Sequence, residues 1–399
     1  MKATMKYSII SILSASLVVC SCAAGQETMD ELKERVFEVA ACQVKVTDAR
    51  LSDTALPRSI KDGEAYDSDY KWWCSGFFPG TAWYVYEVTG DESVKEIAMK
   101  NTLKLADIPA TVDNHDIGFM LWCSYGNALR ITGDGSCLPV IKAGARKLAT
   151  RFRPGAGIIQ SWGPAPKKDW ICPVIIDNMM NLELLEEASK LFAEPVLDSI
   201  ARTHANTTIN NHFRENYSTY HVVDYDPESG AIRHKNTKQG YADESSWGRG
   251  QAWALYGYTM MFRETRDSVY LEQAMKVSDF CISKLPEDGI TYWDFDAPDI
   301  PDALRDASAA AIMASGLAEL STFAPCREKA SVYKATAEKI IRELASERYM
   351  AAPGENFGFL LKHSVGSMPD NSEVDVPLTY ADYYFLEAVI RFCNIQPAK

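Results

Sequence analysis

The sequence repeats a unit made of one amphipathic helix, a tight polar turn and a second helix. Equivalent turns contain Thr89, Thr132 and Thr265, which lie 43 and 133 residues apart, so the second interval is close to three periods of the first. In each turn a Gly or Arg ends one helix, and an Asp then offers a capping oxygen to the next helix. A recurring unit of this length predicts an array of helical hairpins.

The pattern predicts twelve helices, and strand-like alternation is confined to short pieces such as 220–225. Twelve helices in six hairpins favour an all-α, single-domain (α/α)6 toroid occupying 22–399. The predicted helical spans are 28–45, 76–88, 91–107, 117–131, 136–152, 178–190, 193–214, 247–264, 267–285, 306–321, 327–346 and 380–393.

Turns within the predicted hairpins are short, whereas most connections between hairpins are long. In an alternating toroid the long connections all emerge on one rim, where we expect binding and catalytic groups. Tryptophans at the rim could stack on sugar rings, although the alternative is that they are core aromatics. Seven of the nine tryptophans fall in these connections or just after them: Trp72, Trp73, Trp162, Trp170, Trp247, Trp253 and Trp293.

The charge balance excludes a general nucleic-acid binder, because 41 Lys and Arg face 54 Asp and Glu, for a net charge of −13. A small anionic ligand remains compatible with this balance if the site supplies a local cation. The cysteines form no CxxC motif and no Cys/His cluster, so we predict buried thiols and no metal or cofactor. We also expect a monomer or a weak homo-oligomer.

The N-terminus is typical of an export signal. Two lysines precede an apolar stretch at 9–19, which is too short to span a membrane as a stable helix. The following Val-Cys-Ser-Cys resembles a lipoprotein box, which predicts a signal peptide at 1–21 and a lipid on Cys22 that tethers the protein to a membrane. The alternative is ordinary cleavage after Ala23 or Ala24. No acidic run follows Cys22, which favours the periplasm of a Gram-negative bacterium over the cell surface.

The rim carries a series of short motifs that are individually weak and informative together. In chain order they are WWCSGFFPG (72–80), HDIGF (115–119), IDNMMN (176–181), HVV (221–223), QGYADESSWGRGQAW (239–253), WDFDAP (293–298) and RDASAA (305–310). Their joint order, from about residue 30 to 393, resembles the unsaturated glucuronyl hydrolases of glycoside hydrolase family 88. Family 105 shares the toroid, but the 239–253 and 293–295 strings look more like family 88.

The resemblance implies hydration of a double bond rather than ordinary glycoside hydrolysis. Polysaccharide lyases leave a C4=C5 double bond on the terminal uronic acid of their products. Members of the family protonate C4 and add water at C5, and the resulting hemiketal opens and expels the neighbouring sugar. The expected partners are therefore unsaturated glycosaminoglycan disaccharides, and the schemes with two carboxylates flanking the anomeric carbon do not apply.

Two carboxylates match the catalytic residues of the family. Asp177 matches the general acid/base, and its apolar neighbours are expected to raise its pKa. Asp116 matches the second carboxylate, which orients substrate hydroxyls. A helix follows each residue directly, so the alternative for both is helix capping.

The remaining matches concern substrate binding. His221, Gln239 and Arg249 match sugar-binding residues of the family, and a guanidinium is suited to a substrate carboxylate. The alternatives are a structural hydrogen bond for His221 and a buried ion pair with Asp243 or Glu244 for Arg249. The other five histidines are assigned to surface or scaffold, with His115 in some doubt beside Asp116. The aromatic walls of the pocket are matched by Trp73, Trp162 and Trp253. Trp72 is an alternative match for the position assigned to Trp73.

One departure concerns sulfate recognition. Some family members hold a sulfate with a Ser-x-x-Ser-x-Lys strip, and the equivalent stretch here retains Ser364 and Ser367 but has Pro369 in place of the lysine. Preference for that sulfate is therefore in doubt, unless Lys362 turns back to supply the charge.

Two other functions fit parts of the same pattern. A related toroid hydrolase would act on unsaturated rhamnogalacturonan or ulvan fragments. A non-catalytic glycan-binding lipoprotein would use the same tryptophans but would not need Asp116 and Asp177 together.

Overall fold

The computed structural model describes residues 26–395, so the proposed signal peptide at 1–21 and the lipid-bearing Cys22 lie outside the described residues. Twelve longer helices are present in this part of the chain, close to the predicted spans, and a one-turn helix at Ile108–Thr111 lies in a connection. They are α1 Met29–Arg50, α2 Phe77–Thr89, α3 Glu92–Leu103, α4 through Ile117–Leu121, Trp122–Gly126 and Asn127–Thr132, α5 Leu138–Ala149, α6 Leu182–Phe192, α7 Pro195–His212, α8 Gly248–Thr265, α9 Ser268–Lys284, α10 Ala307–Phe323, α11 Arg327–Leu344 and α12 Thr379–Cys393.

The helices form an inner and an outer ring, which confirms the toroid. In α8 every residue over 248–261 is buried, as expected for a helix surrounded by protein. In α11 the buried residues recur every three or four positions, as in a helix with one solvent face. The even-numbered helices form the inner ring, which closes where α12 packs against α2.

Three turns inside the hairpins have the geometry that the repeat predicts. In these three turns the first helix ends at a residue in the left-handed conformation, and the next helical segment begins at an aspartate whose side chain accepts a backbone N–H. The α6–α7 and α10–α11 turns lack such a side-chain cap. The left-handed residues are Gly90 (φ +68°), Gly133 (φ +70°) and Arg266 (φ +56°), and the capping residues are Asp91, Asp134 and Asp267.

The long connections contain nine short strands, of which only the 220–225 segment was predicted. They form three antiparallel hairpins and one three-stranded sheet, β5-β6-β7, so the rim is built of ordered elements. The strands are β1 Ala55–Lys61, β2 Glu64–Asp69, β3 Phe152–Arg153, β4 Ile158–Ile159, β5 Cys172–Ile175, β6 Val222–Tyr225, β7 Ile232–Asn236, β8 Ser364–Ser367 and β9 Ser372–Val376.

The eight cysteines within residues 26–395 form no disulfides, and five of them are buried, which agrees with their assignment as apolar thiols. Across the same residues, none of the helices is both long enough and apolar enough for a membrane span. No cluster of His, Cys, Asp and Glu in the described part of the chain has the arrangement of a metal site.

Candidate active site

Two cavities lie at opposite ends of the inner ring. The larger, of about 500 Å³, lies among the C-terminal ends of inner helices, and its charged groups pair with one another. Arg263, for example, bonds Glu183, Glu264 and Glu319.

The smaller cavity, of about 200 Å³, lies at the rim where the inner helices begin. Asp177 Oδ2 and both ring nitrogens of His115 are buried there without hydrogen-bond partners. Leaving buried polar groups unpaired costs free energy, so a site with several of them is set up for a ligand. This cavity is therefore the candidate active site. It is lined by Trp72, Trp73, His115, Asp116, Trp162, Ile175, Asp177, Gln239 and Arg249.

Asp177 lies in a 3-10 turn, Ile176–Asn181, that leads into α6. Its proposed role as a helix cap is wrong, because it lies inside the first turn and no side chain caps that turn. Its expected apolar surroundings are present, formed by the buried side chains of Ile175, Ile176, Met179 and Met180. Burial raises the pKa of Asp177 to about 6, and the positive charge of Arg249 opposes part of that rise.

Asp116 occupies the position before α4, yet its side chain accepts no hydrogen bond from the helix, so capping is wrong here as well. Burial, followed by repulsion from Asp177, raises the pKa of Asp116 to about 8. His115 Nε2 lies 3.2 Å from Asp116 Oδ1, but burial lowers the pKa of His115 to about 3, so this imidazole is neutral. At neutral pH the two carboxyl groups therefore share at least one proton.

His221 lies at the start of β6 and faces Asp177. Its Nδ1 accepts hydrogen bonds from the backbone N–H groups of Lys238, at 3.1 Å, and Gln239, at 3.2 Å. The proton of the neutral ring is therefore on Nε2, which lies 3.8 Å from Asp177 Oδ2. Burial lowers the pKa of His221 well below its ordinary value. His221 thus makes a structural hydrogen bond through Nδ1 and also faces the candidate acid through Nε2.

Arg249, in the first turn of α8, is buried and makes four hydrogen bonds. Nη1 donates to Asp306 Oδ2 at 3.0 Å and to the Val365 carbonyl at 2.5 Å. Nη2 donates to Gln239 Oε1 at 3.2 Å and to the Gly366 carbonyl at 2.6 Å. The guanidinium therefore holds Gln239 and the β8-β9 hairpin against the cavity.

The ion-pair alternative for Arg249 named the wrong partners. Asp243 accepts the backbone N–H of Thr237, and Glu244 pairs with Arg214. The partner is Asp306, which precedes α10 as Arg249 begins α8, so adjacent inner helices bring the two together.

The tryptophans divide between cavity wall and core. Trp73 and Trp162 line the cavity, and so does Trp72, so both members of the Trp72-Trp73 pair reach it. Trp253 is fully buried and packs 5.2 Å from Phe119, which places it beneath the cavity rather than on its surface. The core interpretation holds for the other three rim tryptophans, Trp170, Trp247 and Trp293, which are all buried.

Ser364 and Ser367 lie on β8, outside the lining of the cavity. Ser367 Oγ donates to Asp370 at 2.7 Å, and Lys238 pairs with the same carboxylate. Lys362 Nζ donates instead to the Glu347 carbonyl at 2.7 Å. Lys362 therefore does not replace the missing lysine, whereas Lys238 brings a positive charge to this strip.

Sequence reasoning missed several residues that shape the site. His115 is buried in the cavity, not on the surface, and its position next to Asp116 was the available indication. Asp294 is fully buried and accepts hydrogen bonds from Tyr241 N at 2.8 Å and Ser245 Oγ at 2.7 Å, which orders the 239–247 loop. An Asp between Trp and Phe indicated such a buried acceptor.

Comparisons with known proteins agree with this architecture. The sequence profile of Glycosyl Hydrolase Family 88 matches residues 44–384. An unsaturated glucuronyl hydrolase of Formosa agariphila is 44% identical over 326 residues, which cover 81% of this chain and 80% of that protein. An unsaturated chondroitin disaccharide hydrolase of Streptococcus pneumoniae is 34% identical, covering 80% and 81%. The crystal structure of an unsaturated glucuronyl hydrolase specific for heparin superimposes with a TM-score of 0.88 at 45% identity, covering 91% of this chain and 97% of the other.

Proposed function

The chain belongs to Glycosyl Hydrolase Family 88, and on that premise we propose that it is an unsaturated glucuronyl hydrolase that hydrates the C4=C5 double bond of lyase-generated glycosaminoglycan disaccharides. The observation that carries the proposal is the pair of carboxyl groups of Asp116 and Asp177, whose side chains are only 14% and 13% exposed, in an aromatic-walled cavity on the rim. Hydration of an electron-rich double bond begins with proton transfer to carbon, which requires an acid that keeps its proton near neutral pH.

In the proposed mechanism Asp177 donates its proton to C4, and the C4=C5 π electrons form the new C–H bond. Water then adds its oxygen to C5, and the Asp177 carboxylate accepts the released proton. The product is a hemiketal at C5. Cleavage of its bond to the ring oxygen gives a C5 ketone and a hemiacetal at C1, which releases the neighbouring sugar with its hydroxyl and leaves an aldehyde.

The other residues have binding and orienting roles in this scheme. Asp116, with its pKa near 8, stays protonated at pH 7 and donates a hydrogen bond to a substrate hydroxyl. His221 Nε2–H faces Asp177 and favours the carboxylate that forms after proton transfer. Gln239 and Arg249 recognise the substrate carboxylate, and the Arg249 charge remains close to the cavity although its four hydrogen bonds are already made.

For the substrate we propose heparin-type and chondroitin-type disaccharides, in which an unsaturated uronic acid is joined to an amino sugar. This is supported by the names of the similar proteins, one specific for heparin and another an unsaturated chondroitin disaccharide hydrolase. Pro369 stands where the sulfate-holding strip has its lysine, which supports a substrate preference that does not depend on sulfate binding by residues 364–369.

The decisive experiment measures loss of the ultraviolet absorbance of the conjugated double bond. Purified protein is given unsaturated heparin, chondroitin and hyaluronan disaccharides, with unsaturated rhamnogalacturonan and ulvan fragments as competing substrates. Turnover of a glycosaminoglycan disaccharide is expected, and turnover of only the other fragments would reassign the substrate. Binding without any loss of absorbance would favour a non-catalytic glycan-binding protein.

Asp177→Asn tests the proposed acid. We expect at least a hundredfold loss of kcat, the lower end of what general acid catalysis contributes. Asp113→Asn, an exposed aspartate before the Asp116 loop, is the matched control and should keep normal turnover. Near-normal turnover by Asp177→Asn would refute the assignment even if the substrate is right.

We also propose export as a periplasmic lipoprotein, monomeric or weakly oligomeric, with a lipid on Cys22. This is supported by the lysines, apolar stretch and Cys22 of the N-terminal sequence. Metabolic labelling with a lipid precursor should tag the full-length protein and not its Cys22→Ala variant. Labelling of both variants, or of neither, would contradict the anchor.

A further inference from the structure

Trp72 differs from every other side chain that lines the rim cavity. Its exposed fraction is 39%, whereas the other lining residues are buried or half-buried. The adjacent Trp73 is packed among Phe77, Phe119 and Tyr380, with ring centroids 5.0 to 5.8 Å away. Trp73 therefore belongs to the enclosed part of the cavity, and Trp72 lies at its mouth.

One face of the Trp72 ring is covered by a fixed cation. The Arg58 guanidinium carbon lies 4.0 Å from the Trp72 ring centroid and 4.9 Å from the Tyr66 ring centroid. Arg58 Nε donates to Glu373 Oε1 at 2.5 Å, and the side chains of this ion pair are only 14% and 17% exposed. Strands β1 and β9 thus fix Arg58, and Arg58 fixes the indole. The exposed surface of Trp72 is left to the opposite ring face and the ring edge.

We propose that Trp72 is the stacking platform for the sugar that leaves during the reaction, and that Arg58 is a positioning residue that holds the platform. The inference rests on the proposed hydration of an unsaturated disaccharide. The unsaturated ring must reach Asp177, which is surrounded by buried residues, so the second sugar extends toward the open mouth. A flat aromatic face held rigid at that point suits the apolar face of a pyranose, and its rigidity reduces the entropy lost on binding.

The test compares two substrates with one uronic acid and different leaving groups. One is an unsaturated heparin disaccharide, and the other is the methyl glycoside of the same unsaturated uronic acid, which has no second sugar. Trp72→Ala should raise the disaccharide KM about three- to tenfold, the range expected for loss of one aromatic contact. The KM of the methyl glycoside should stay unchanged, and Trp72→Phe should recover most of the loss.

The matched control is Tyr217→Ala, which removes an aromatic ring of similar exposure, 37%, that lies outside the cavity lining. Its disaccharide KM should match that of the wild type. Arg58→Ala should raise the disaccharide KM in the same direction, and combining it with Trp72→Ala should add little, because Arg58 acts through the ring.

An unchanged disaccharide KM in Trp72→Ala, or an equal rise for both substrates, would overturn the proposal. Failure of the wild-type enzyme on every unsaturated disaccharide would instead refute the proposed function. The two failures are therefore distinguishable.

Discussion

The raised pKa of Asp116 has a cost in stability that Asp116→Asn should relieve. A carboxyl group with a pKa of about 8 in the folded protein and 3.8 as its ordinary value binds a proton more tightly when folded. Between these two values the folded state holds more protons than the unfolded state, so stability falls as pH rises. The stability that protonated Asp116 contributes is fully present below pH 3.8 and is lost as pH rises through 8.

The slope of the unfolding free energy against pH gives the expected size of this effect. One pKa unit corresponds to about 1.4 kcal/mol, so from pH 5 to pH 7.5 ionisable Asp116 costs the wild type about 3 kcal/mol of unfolding free energy. An asparagine has no such titration, and its neutrality also removes the repulsion with Asp177. The unfolding free energy of Asp116→Asn relative to wild type should therefore improve by about 3 kcal/mol between these two pH values.

Urea denaturation at pH 5 and pH 7.5 measures this difference, and comparing one variant at two pH values cancels the constant cost of changing the side chain. Asp113→Asn is the control, since Lys147 and Arg151 oppose the effect of burial and leave the pKa of Asp113 lowered. Its titration lies below pH 5, so its effect should be the same at both pH values. An equal effect of Asp116→Asn at pH 5 and pH 7.5 would show that Asp116 does not retain a proton.

Three further outcomes are expected. Because Asp177 must carry its proton, kcat/KM should fall up to tenfold per pH unit above about pH 6, and a flat profile from pH 6 to 8 would contradict this role. Gly76→Ala should cost about 3 kcal/mol in urea denaturation, because its Cβ would lie 2.3 Å from backbone carbonyl oxygens of α4, whereas Gly163→Ala meets open space and should be neutral. Asp306→Asn should lower the unfolding free energy by about 3 kcal/mol, because it leaves Arg249 without its buried partner. The exposed control Asp302→Asn should not lower it. Equal urea midpoints for the two variants would refute the ion-pair argument.

The parts of the fold that sequence predicts are those determined by local chemistry. Apolar residues that recur every three or four positions predict the helices, and capped turns such as Thr89-Gly90-Asp91 predict their ends within a few residues. Both signals depend only on neighbours along the chain. The rim strands were mostly missed because they are short and stabilised by pairing between distant segments, as in β5 with β6.

The same distinction applies to the site. Motif order placed Asp116, Asp177 and Gln239 in one cavity, but partner choice depends on three-dimensional approach. Arg249 pairs with Asp306, 57 residues away, rather than with the nearby Asp243, because the first turns of adjacent inner helices meet. Capping by Asp177 failed for a related reason, since the 3-10 turn begins two residues earlier than periodicity indicated.

Two carboxyl groups at opposite ends of the inner ring, Glu319 and Asp116, have pKa values shifted in opposite directions. At the C-terminal ends, burial alone would raise the pKa of Glu319, but the charges of Arg391 and Arg263 bring it below the ordinary value. At the N-terminal ends, Asp116 faces a second carboxyl group, and its pKa rises. Burial also raises the pKa of Glu183 in the larger cavity, so the charges that face each carboxyl group, and not its end of the ring, determine the direction of its shift. A Glu319→Gln variant should accordingly weaken folding without moving the pH dependence of turnover, whereas changes at Asp116 should move both.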